Sequence, residues 1–169
     1  MKLFPALAAG CTTILKPPQL APYSAQILAE ILHDAGTPAG VFNMIQGQGS
    51  VIGSALSKHP QVDMISFTGS EPVGVQITKD AADTVKRVGL ELGGKSAWIV
   101  LDDESLADHV TAATAGMMVN AGQTCSAGSR LVVPNSRLDE VKQIAKSVID
   151  GLKVGDPNTQ VDVGPVVSG

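Results

Sequence analysis

The sequence contains few aromatic residues, few charges and only two cysteines. Aromatic side chains make up 3% of its 169 residues and charged side chains 17%, with 12 basic against 16 acidic residues and a net charge of −4. Because it has no basic cluster and few rings to stack on bases, we do not expect nucleic acid as a partner. No apolar run reaches the roughly 18 residues of a membrane-spanning helix, and the first residues lack the layout of a secretory signal. We therefore expect a cytoplasmic protein that does not bind membranes.

The two cysteines, Cys11 and Cys125, are too far apart in sequence to have the spacing of metal ligands. We therefore expect no metal site, and a chain with 44% hydrophobic residues does not need a disulfide to fold. Cys11 lies in the apolar run 10–15 and is expected to be an inert core residue. Cys125 lies instead among the small and polar residues of segment 120–128.

Strands and helices are predicted to alternate along the chain. Strands are expected at 11–15, 41–45, 62–67 and 85–92, with helices starting at Pro22, near 49 and after Ser70. This alternation predicts an α/β fold with a doubly wound parallel sheet. Past Gly93 the pattern changes to strand 96–101, a helix ending near 119, strand 130–133 and an amphipathic helix 138–152, so we place a domain boundary between residues 93 and 94.

Polar and glycine residues follow the predicted strands of the first half. Lys16, the 47–49 turn, the 68–70 turn and Glu91 all stand at strand ends, and such ends meet at one crevice in an open parallel sheet. A lysine could bind a phosphate or ribose hydroxyls, while glycines and the helix after Ser70 could offer N–H groups to a pyrophosphate. The alternatives are a solvated surface lysine and ordinary turns, and the glycine spacing 47, 49, 53 departs from the G-x-G-x-x-G fingerprint.

Cys125 and Glu91 are candidates for a thiol nucleophile and its base. A free cysteine has a pKa of about 8.5 and needs a nearby charge, dipole or base to form the thiolate. Glu91 could serve as that base directly or through a water. The alternative interpretation is a buried cysteine and a glycine pair that marks only a turn.

Four stretches together resemble the NAD(P)-dependent aldehyde dehydrogenase superfamily. They are residues 5–17, residues 67–74 with Phe67-Thr68-Gly69-Ser70 and Gly74, residues 90–96, and Asn120-x-Gly122-Gln123-x-Cys125. They occur in the family's order and cover nearly the whole chain. The resemblance implies that residues 1–93 are part of a Rossmann-like NAD(P)-binding domain, and that residues 94–169 are the first part of an α/β catalytic domain.

The resemblance also implies a mechanism and a small-molecule aldehyde substrate. Cys125 would attack the aldehyde carbonyl to form a thiohemiacetal, hydride transfer to the nicotinamide would leave a thioacyl-enzyme, and Glu91 would activate the water that hydrolyses it. The backbone N–H of Cys125 would form half of the oxyanion hole. Because relatives that transfer the acyl group to coenzyme A commonly lack this carboxylate, Glu91 favours a free acid as product.

The resemblance implies a cofactor site as well. The implied contacts are Lys16, Gln19, Gly49, Gly53, Phe67, Gly69, Ser70, Gly74 and Leu92. Gln19 stands where many NAD-preferring relatives carry a glutamate, which removes a charge that would repel a 2′-phosphate. Both NAD and NADP therefore remain candidates, with NAD slightly favoured.

Family members are much longer than this chain and form homo-oligomers. The segments that supply the oxyanion-hole asparagine and the glutamate that binds the nicotinamide ribose are absent from the sequence, so we expect little or no dehydrogenase activity from this polypeptide alone. An alternative is a non-catalytic nucleotide-binding or interaction fragment. A cysteine hydrolase has no support, because no histidine is close to Cys125 in the sequence.

Overall fold

Pairs of short parallel strands form the framework of the chain. The structure, a computed structural model, describes residues 2–168. The chain divides into two units, Met1–Leu92 and Gly93–Gly169. Helices alternate with parallel strands in both units, which confirms the predicted α/β fold class.

The first unit begins with a helix that the sequence pattern did not predict. Its elements are α1 (Leu3–Ala8), β1 (Thr13–Leu15), α2 (Tyr23–Asp34), β2 (Phe42–Met44), α3 (Ser54–Lys58), β3 (Met64–Gly69), α4 (Glu71–Ala82) and β4 (Arg87–Leu92). A wide π-type turn, Gly49–Gly53, leads into α3. Pro5 lies in the first turn of α1, where the absence of an N–H does no harm because the first N–H groups of a helix have no partner within it.

The strands of the first unit form two parallel pairs. β1 pairs with β2, and β3 pairs with β4 in a register that sets Thr68 opposite Glu91 and Gly69 opposite Leu92. Among the described residues the two pairs share no strand hydrogen bonds, so the structure differs here from one continuous sheet. Local patterning specifies each strand, whereas strand order depends on segments far apart in the chain. The side chains of Ile14 in β1 and Met64 in β3 are about half exposed.

Glycine and proline residues set the boundaries of several elements. α2 ends before Gly36, whose φ of +79° favours glycine, and α4 starts after Ser70 with Pro72 in its first turn. β4 starts only at Arg87, two residues later than predicted, because Val85 has a left-handed φ of 52° that is incompatible with a strand.

The second unit packs two helices beside a strand pair. Its elements are β5 (Ala97–Ile99), α5 (Leu106–Met117), β6 (Arg130–Val132) and α6 (Leu138–Gly151), with β5 and β6 parallel. Leu106 and Val110 of α5 are fully buried and pack with Val141 of α6 and Val100. Burial of each such side chain stabilises the fold by about 1.5–3 kcal/mol, so this cluster is the core that supports the unit.

The helices of residues 2–168 are short. None of them is both long enough and apolar enough to cross a membrane.

Candidate active site

Glu91 lies on β4 beside a lysine that sequence reasoning missed. The Lys2 ammonium donates to Thr68 Oγ1 at 2.5 Å, and Thr68 is the register partner of Glu91. Burial lowers the pKa of the Lys2 ammonium, and the negative charge of Glu91 opposes that shift. The exposed Glu91 carboxylate therefore faces a cation as well as solvent. No sequence signal points to this contact, because Lys2 and Thr68 are 66 positions apart.

Four of the predicted cofactor residues lie together on β3, β4 and α4. The ring of Phe67 covers Gly69, and any Cβ at position 69 would overlap it. Gly74 is buried in α4, where a Cβ would lie 3.0 Å from the side chain of Leu92. A side chain at position 69 or 74 would therefore require Phe67 or Leu92 to shift.

Ser70 precedes α4 with an extended backbone. Within residues 2–168 its side chain makes no capping hydrogen bond, so it leaves the N–H groups of the first turn available. Pro72 contributes no N–H there, and Glu71 adds a negative charge to the same turn. An anion at this helix start would therefore depend on few donors and would meet a nearby carboxylate.

Gln19 lines a cleft after β1, and Lys16 directly precedes Pro17, the first of its lining residues. The cleft has a volume of about 340 Å³ and is lined by Pro17, Pro18, Gln19, Pro22, Gln46 and Gly47. The half-buried Lys16 Nζ donates to the carbonyl oxygens of Pro17 at 2.5 Å and Gly47 at 3.4 Å. The lining contains two side-chain amides and no carboxylate, so its polar groups suit hydroxyls and do not repel an anion.

The three glycines after β2 differ in what surrounds them. Gly47 has φ +148°, and a Cβ there would lie 2.5 Å from Ile52 Cδ1, so only glycine fits. Gly49 and Gly53 have ordinary φ values and nothing within 4 Å of an added Cβ. The space beside these two glycines is open.

Cys125 occupies a central position of a β-turn. Ala127 N–H donates to Thr124 O at 3.0 Å, which closes the turn around Cys125 and Ser126. The thiol is free and exposed, and the Cys125 N–H finds no acceptor among residues 2–168. The thiol and an unused backbone donor are thus presented together at the tip of one turn.

A left-handed segment precedes this turn. Asn120, Ala121 and Gly122 have φ values of 55°, 54° and 74°. This region of φ/ψ space costs Ala121 about 1–2 kcal/mol, whereas asparagine adopts it more readily than other residues that carry a side chain. Asn120 Nδ2 donates to Gln123 O at 3.2 Å, which supports the bend. The chain therefore enters the cysteine turn through a strained and specific backbone path.

The other end of the cysteine turn lies under Trp98. Gly128 is buried, and a Cβ there would overlap the indole ring at Cδ1 and Nε1. The same ring approaches Gly116 of α5, where a Cβ would be 3.9 Å from Cζ2. At the start of the unit, a Cβ on Gly94 would lie 3.8 Å from the Cys125 carbonyl oxygen. Sequence reasoning did not connect Trp98 with the cysteine turn.

Cys11 corrects one expectation from the sequence. The apolar run 10–15 predicts a core residue, but the Cys11 side chain is exposed and free. The strand starts only at Thr13, and Cys11 follows the left-handed Gly10 at the end of α1, so its side chain lies in a surface loop. In the part of the chain that the structure describes, no three His, Cys, Asp or Glu side chains cluster in a way that could hold a metal.

The fold and the thiol turn place the chain among α/β proteins with Rossmann-like parallel strands. The family model described as "Aldehyde dehydrogenase family" matches residues 1–169, and the chain belongs to that family.

Similar proteins extend this result. The 3-succinoylsemialdehyde-pyridine dehydrogenase of a Pseudomonas species is 50% identical over 169 residues, which cover 99% of this chain and 35% of that protein. A mutant of aldehyde dehydrogenase C from Pseudomonas syringae, solved with NAD+ and octanal, is 45% identical with a TM-score of 0.95. The match covers 98% of this chain and 34% of that protein's chain. An E. coli NADP dependent enzyme is 42% identical with a TM-score of 0.92, over 98% and 35% of the two chains. The chain thus spans about 35% of the length of the curated relative.

Proposed function

We propose that this chain carries the nucleophile and the base of an enzyme that oxidises an aldehyde to a carboxylic acid with NAD(P)+. The observation that carries the proposal is Cys125, a free, exposed thiol at the centre of a β-turn in a chain of the aldehyde dehydrogenase family. The related structure with octanal supports an aldehyde as the substrate class.

The proposed chemistry begins at Cys125. The thiolate sulfur forms a bond to the carbonyl carbon, and the carbonyl oxygen becomes an oxyanion that the Cys125 N–H stabilises. Loss of hydride from that carbon restores the carbonyl group as a thioester. A nicotinamide cofactor, when bound, would supply the acceptor for this hydride.

Deacylation is assigned to Glu91. Its carboxylate takes a proton from water, the water oxygen bonds to the thioester carbon, and the carbon–sulfur bond breaks to release the acid and the thiolate. Glu91 is exposed at the surface of the first unit, so water can reach its carboxylate.

The cofactor would bind at the cleft beside Lys16. Its size and its uncharged amide lining fit ribose hydroxyls, with Lys16 Nζ and Gln19 as the polar contacts, and the open space at Gly49 and Gly53 leaves room for the base. Phe67, Gly69, Ser70, Gly74 and Leu92 are proposed to contact the remainder of the dinucleotide. The absence of a carboxylate from the lining admits NADP as well as NAD, with NAD slightly favoured, and related structures include both an NAD+ complex and an NADP dependent enzyme.

The assignment of residues 1–93 to a cofactor domain and of residues 94–169 to a catalytic domain is part of the same proposal. A cytoplasmic location stays a prediction, as does the homo-oligomeric assembly of the longer relatives.

A chimaera tests the function, because the chain aligns over 169 residues with a much longer relative. The matching third of the Pseudomonas dehydrogenase is replaced by this chain, and NAD(P)H formation is followed with an aliphatic aldehyde. We expect turnover in the chimaera and its loss in Cys125→Ala. In Glu91→Gln we expect one rapid burst of NAD(P)H per active site followed by a slow steady state, because only deacylation needs the base.

The result that contradicts the proposal is a chimaera with normal folding and cofactor binding whose turnover persists in Cys125→Ala. A folded chimaera that binds NAD(P)+ without any turnover favours the non-catalytic alternative. Calorimetric titration with NAD+ and NADP+, repeated on Gln19→Glu, separates the two cofactors. The added charge is expected to weaken NADP+ binding more than NAD+ binding, since only NADP+ carries a 2′-phosphate.

A further inference from the structure

The segment that carries Cys125 is held at both ends by contacts within the second unit. On the C-terminal side, Trp98 covers Gly128, and Arg130 N–H donates to Ser96 O at 3.2 Å. On the N-terminal side the contacts converge on one residue, Gln123, which stands two positions before the cysteine.

Gln123 is bonded through its backbone and its side chain. Its N–H donates to Asn120 O at 3.0 Å, and its carbonyl accepts from Asn120 Nδ2 at 3.2 Å. Its side-chain Oε1 accepts from the backbone N–H of Val167 at 3.2 Å, across 44 positions of sequence. The first two bonds shape the local bend, whereas the third ties the bend to a distant segment.

The segment around Val167 is itself anchored to the helical core. Val163 forms a parallel bridge with Val154, and Gly155 N–H donates to Val163 O at 3.1 Å, directly after α6. α6 packs on α5 through Val141. Residues 163–167, here called the C-terminal segment, therefore start at the bridge to Val154 beside α6 and end at Val167, whose N–H donates to the Gln123 side chain.

We propose that Gln123 is a positioning residue, whose side-chain carbonyl fixes the Cys125 turn to the C-terminal segment of the second unit. The inference rests on the proposed function in one respect, namely that Cys125 is the nucleophile to be positioned. The strained residues Asn120 and Ala121 need such a restraint, because a left-handed backbone persists only where its surroundings hold it.

Two substitutions that keep the length of the side chain distinguish the effect of its hydrogen-bond acceptor from the effect of its size. Gln123→Met removes the carbonyl oxygen, whereas Gln123→Glu keeps an oxygen that can accept from Val167 N–H. Gln143→Met, on the exposed surface of α6, is the matched control for introducing methionine. Hydrogen exchange of the 169-residue chain is measured at Val167, at residues 124–128 and, as a monitor of the fold, at Val110 and Val141.

In Gln123→Met we expect exchange at Val167 and in the cysteine turn to rise roughly three- to tenfold, the effect of removing one ordinary hydrogen bond. Gln123→Glu should restore the parent rates, and Gln143→Met should not change them. If Gln123→Met also opens the core, Gln123→Asn, whose amide is one methylene too short to reach, replaces it with the same expectation.

Alkylation by iodoacetamide gives a second readout. On the alkaline plateau, where each thiol is fully ionised, the rate at Cys125 relative to Cys11 should rise roughly threefold or more in Gln123→Met and return in Gln123→Glu, because a released turn exposes the thiolate to more approaches of the reagent. An unchanged exchange rate at Val167, or a failure of Gln123→Glu to restore it, overturns the positioning role whatever Cys125 does. Indistinguishable alkylation profiles of Cys125 and Cys11 in the parent chain count against the proposed function alone.

Discussion

The contact between Trp98 and Gly128 gives a sharp steric prediction. Gly128 has an ordinary φ, so alanine is compatible with the backbone there, and the effect of Gly128→Ala is purely a matter of space. The added Cβ would overlap the indole ring, which cannot move toward α5 without meeting Gly116. Trp98 must therefore move toward solvent, and its exposed fraction, which is 42% in this structure, must increase.

The expected cost combines overpacking with lost burial of the indole. Overpacking a filled site costs about 1–3 kcal/mol, and the ring would also lose part of its remaining apolar contact. We expect Gly128→Ala to lower the free energy of unfolding by about 3 kcal/mol. For a chain of this length that corresponds to a fall in melting temperature of roughly 6–12 °C.

Thermal denaturation and tryptophan emission measure this effect directly, because Trp98 is the only tryptophan in the sequence. Gly128→Ala should melt earlier and show a red-shifted emission in its folded state. Gly116→Ala is the matched control on the same ring, since its Cβ would make an ordinary contact at 3.9 Å and alanine favours a helix over glycine by about 0.5–1 kcal/mol. A Gly128→Ala chain with the parent's melting temperature and emission would refute the packing argument.

Three further predictions concern single residues away from the cysteine turn. Val85→Gly should raise the free energy of unfolding by about 1 kcal/mol in denaturant titrations, because it relieves a left-handed β-branched residue that is 90% exposed; a loss of stability would contradict this. Thr114→Val should also raise the free energy of unfolding by about 1 kcal/mol, because the buried Thr114 hydroxyl has no hydrogen-bond partner among residues 2–168. A lower free energy of unfolding in this variant would contradict the prediction. Hydrogen bonding to Arg137 lowers the pKa of Glu140, so this pair stabilises the fold above the ordinary value of 4.5, and the stabilisation is lost as the pH falls through the lowered pKa. Arg137→Met should therefore reduce the loss of stability in that acid range. An unchanged stability–pH profile would count against the pair.

Local signals in the sequence predict most of the secondary structure. α6 follows from apolar residues at three- and four-residue spacing, and α4 from Ser70 and Pro72 at its start. These elements can be predicted from the sequence because the residues that specify them are neighbours in the chain. The pairing of strands into separate two-stranded sheets could not be predicted in this way, since it depends on segments that can be far apart in sequence.

Only part of the candidate site can be predicted from the sequence. Cys125 and Glu91 stand out because their neighbours form recognisable short motifs. Lys2, Trp98 and Val167 do not, because each acts on the site through a contact with a residue 30 or more positions away. A lysine, a tryptophan or a valine in isolation carries no sign of such a contact, so this part of the site required the structure.

The glycines show why residue size alone is a weak argument for ligand contact. Small residues around Cys125 suggest room for a substrate, yet Gly122 has a left-handed backbone and Gly128 lies beneath Trp98, so each has a reason within the protein's own packing. Gly49 and Gly53 have neither a positive φ nor a neighbour within 4 Å of an added Cβ. Among residues 2–168 no contact requires glycine at these two positions, so the proposal of a nucleotide at this end of the first unit depends on them more than the proposal of a substrate depends on any glycine of the cysteine turn.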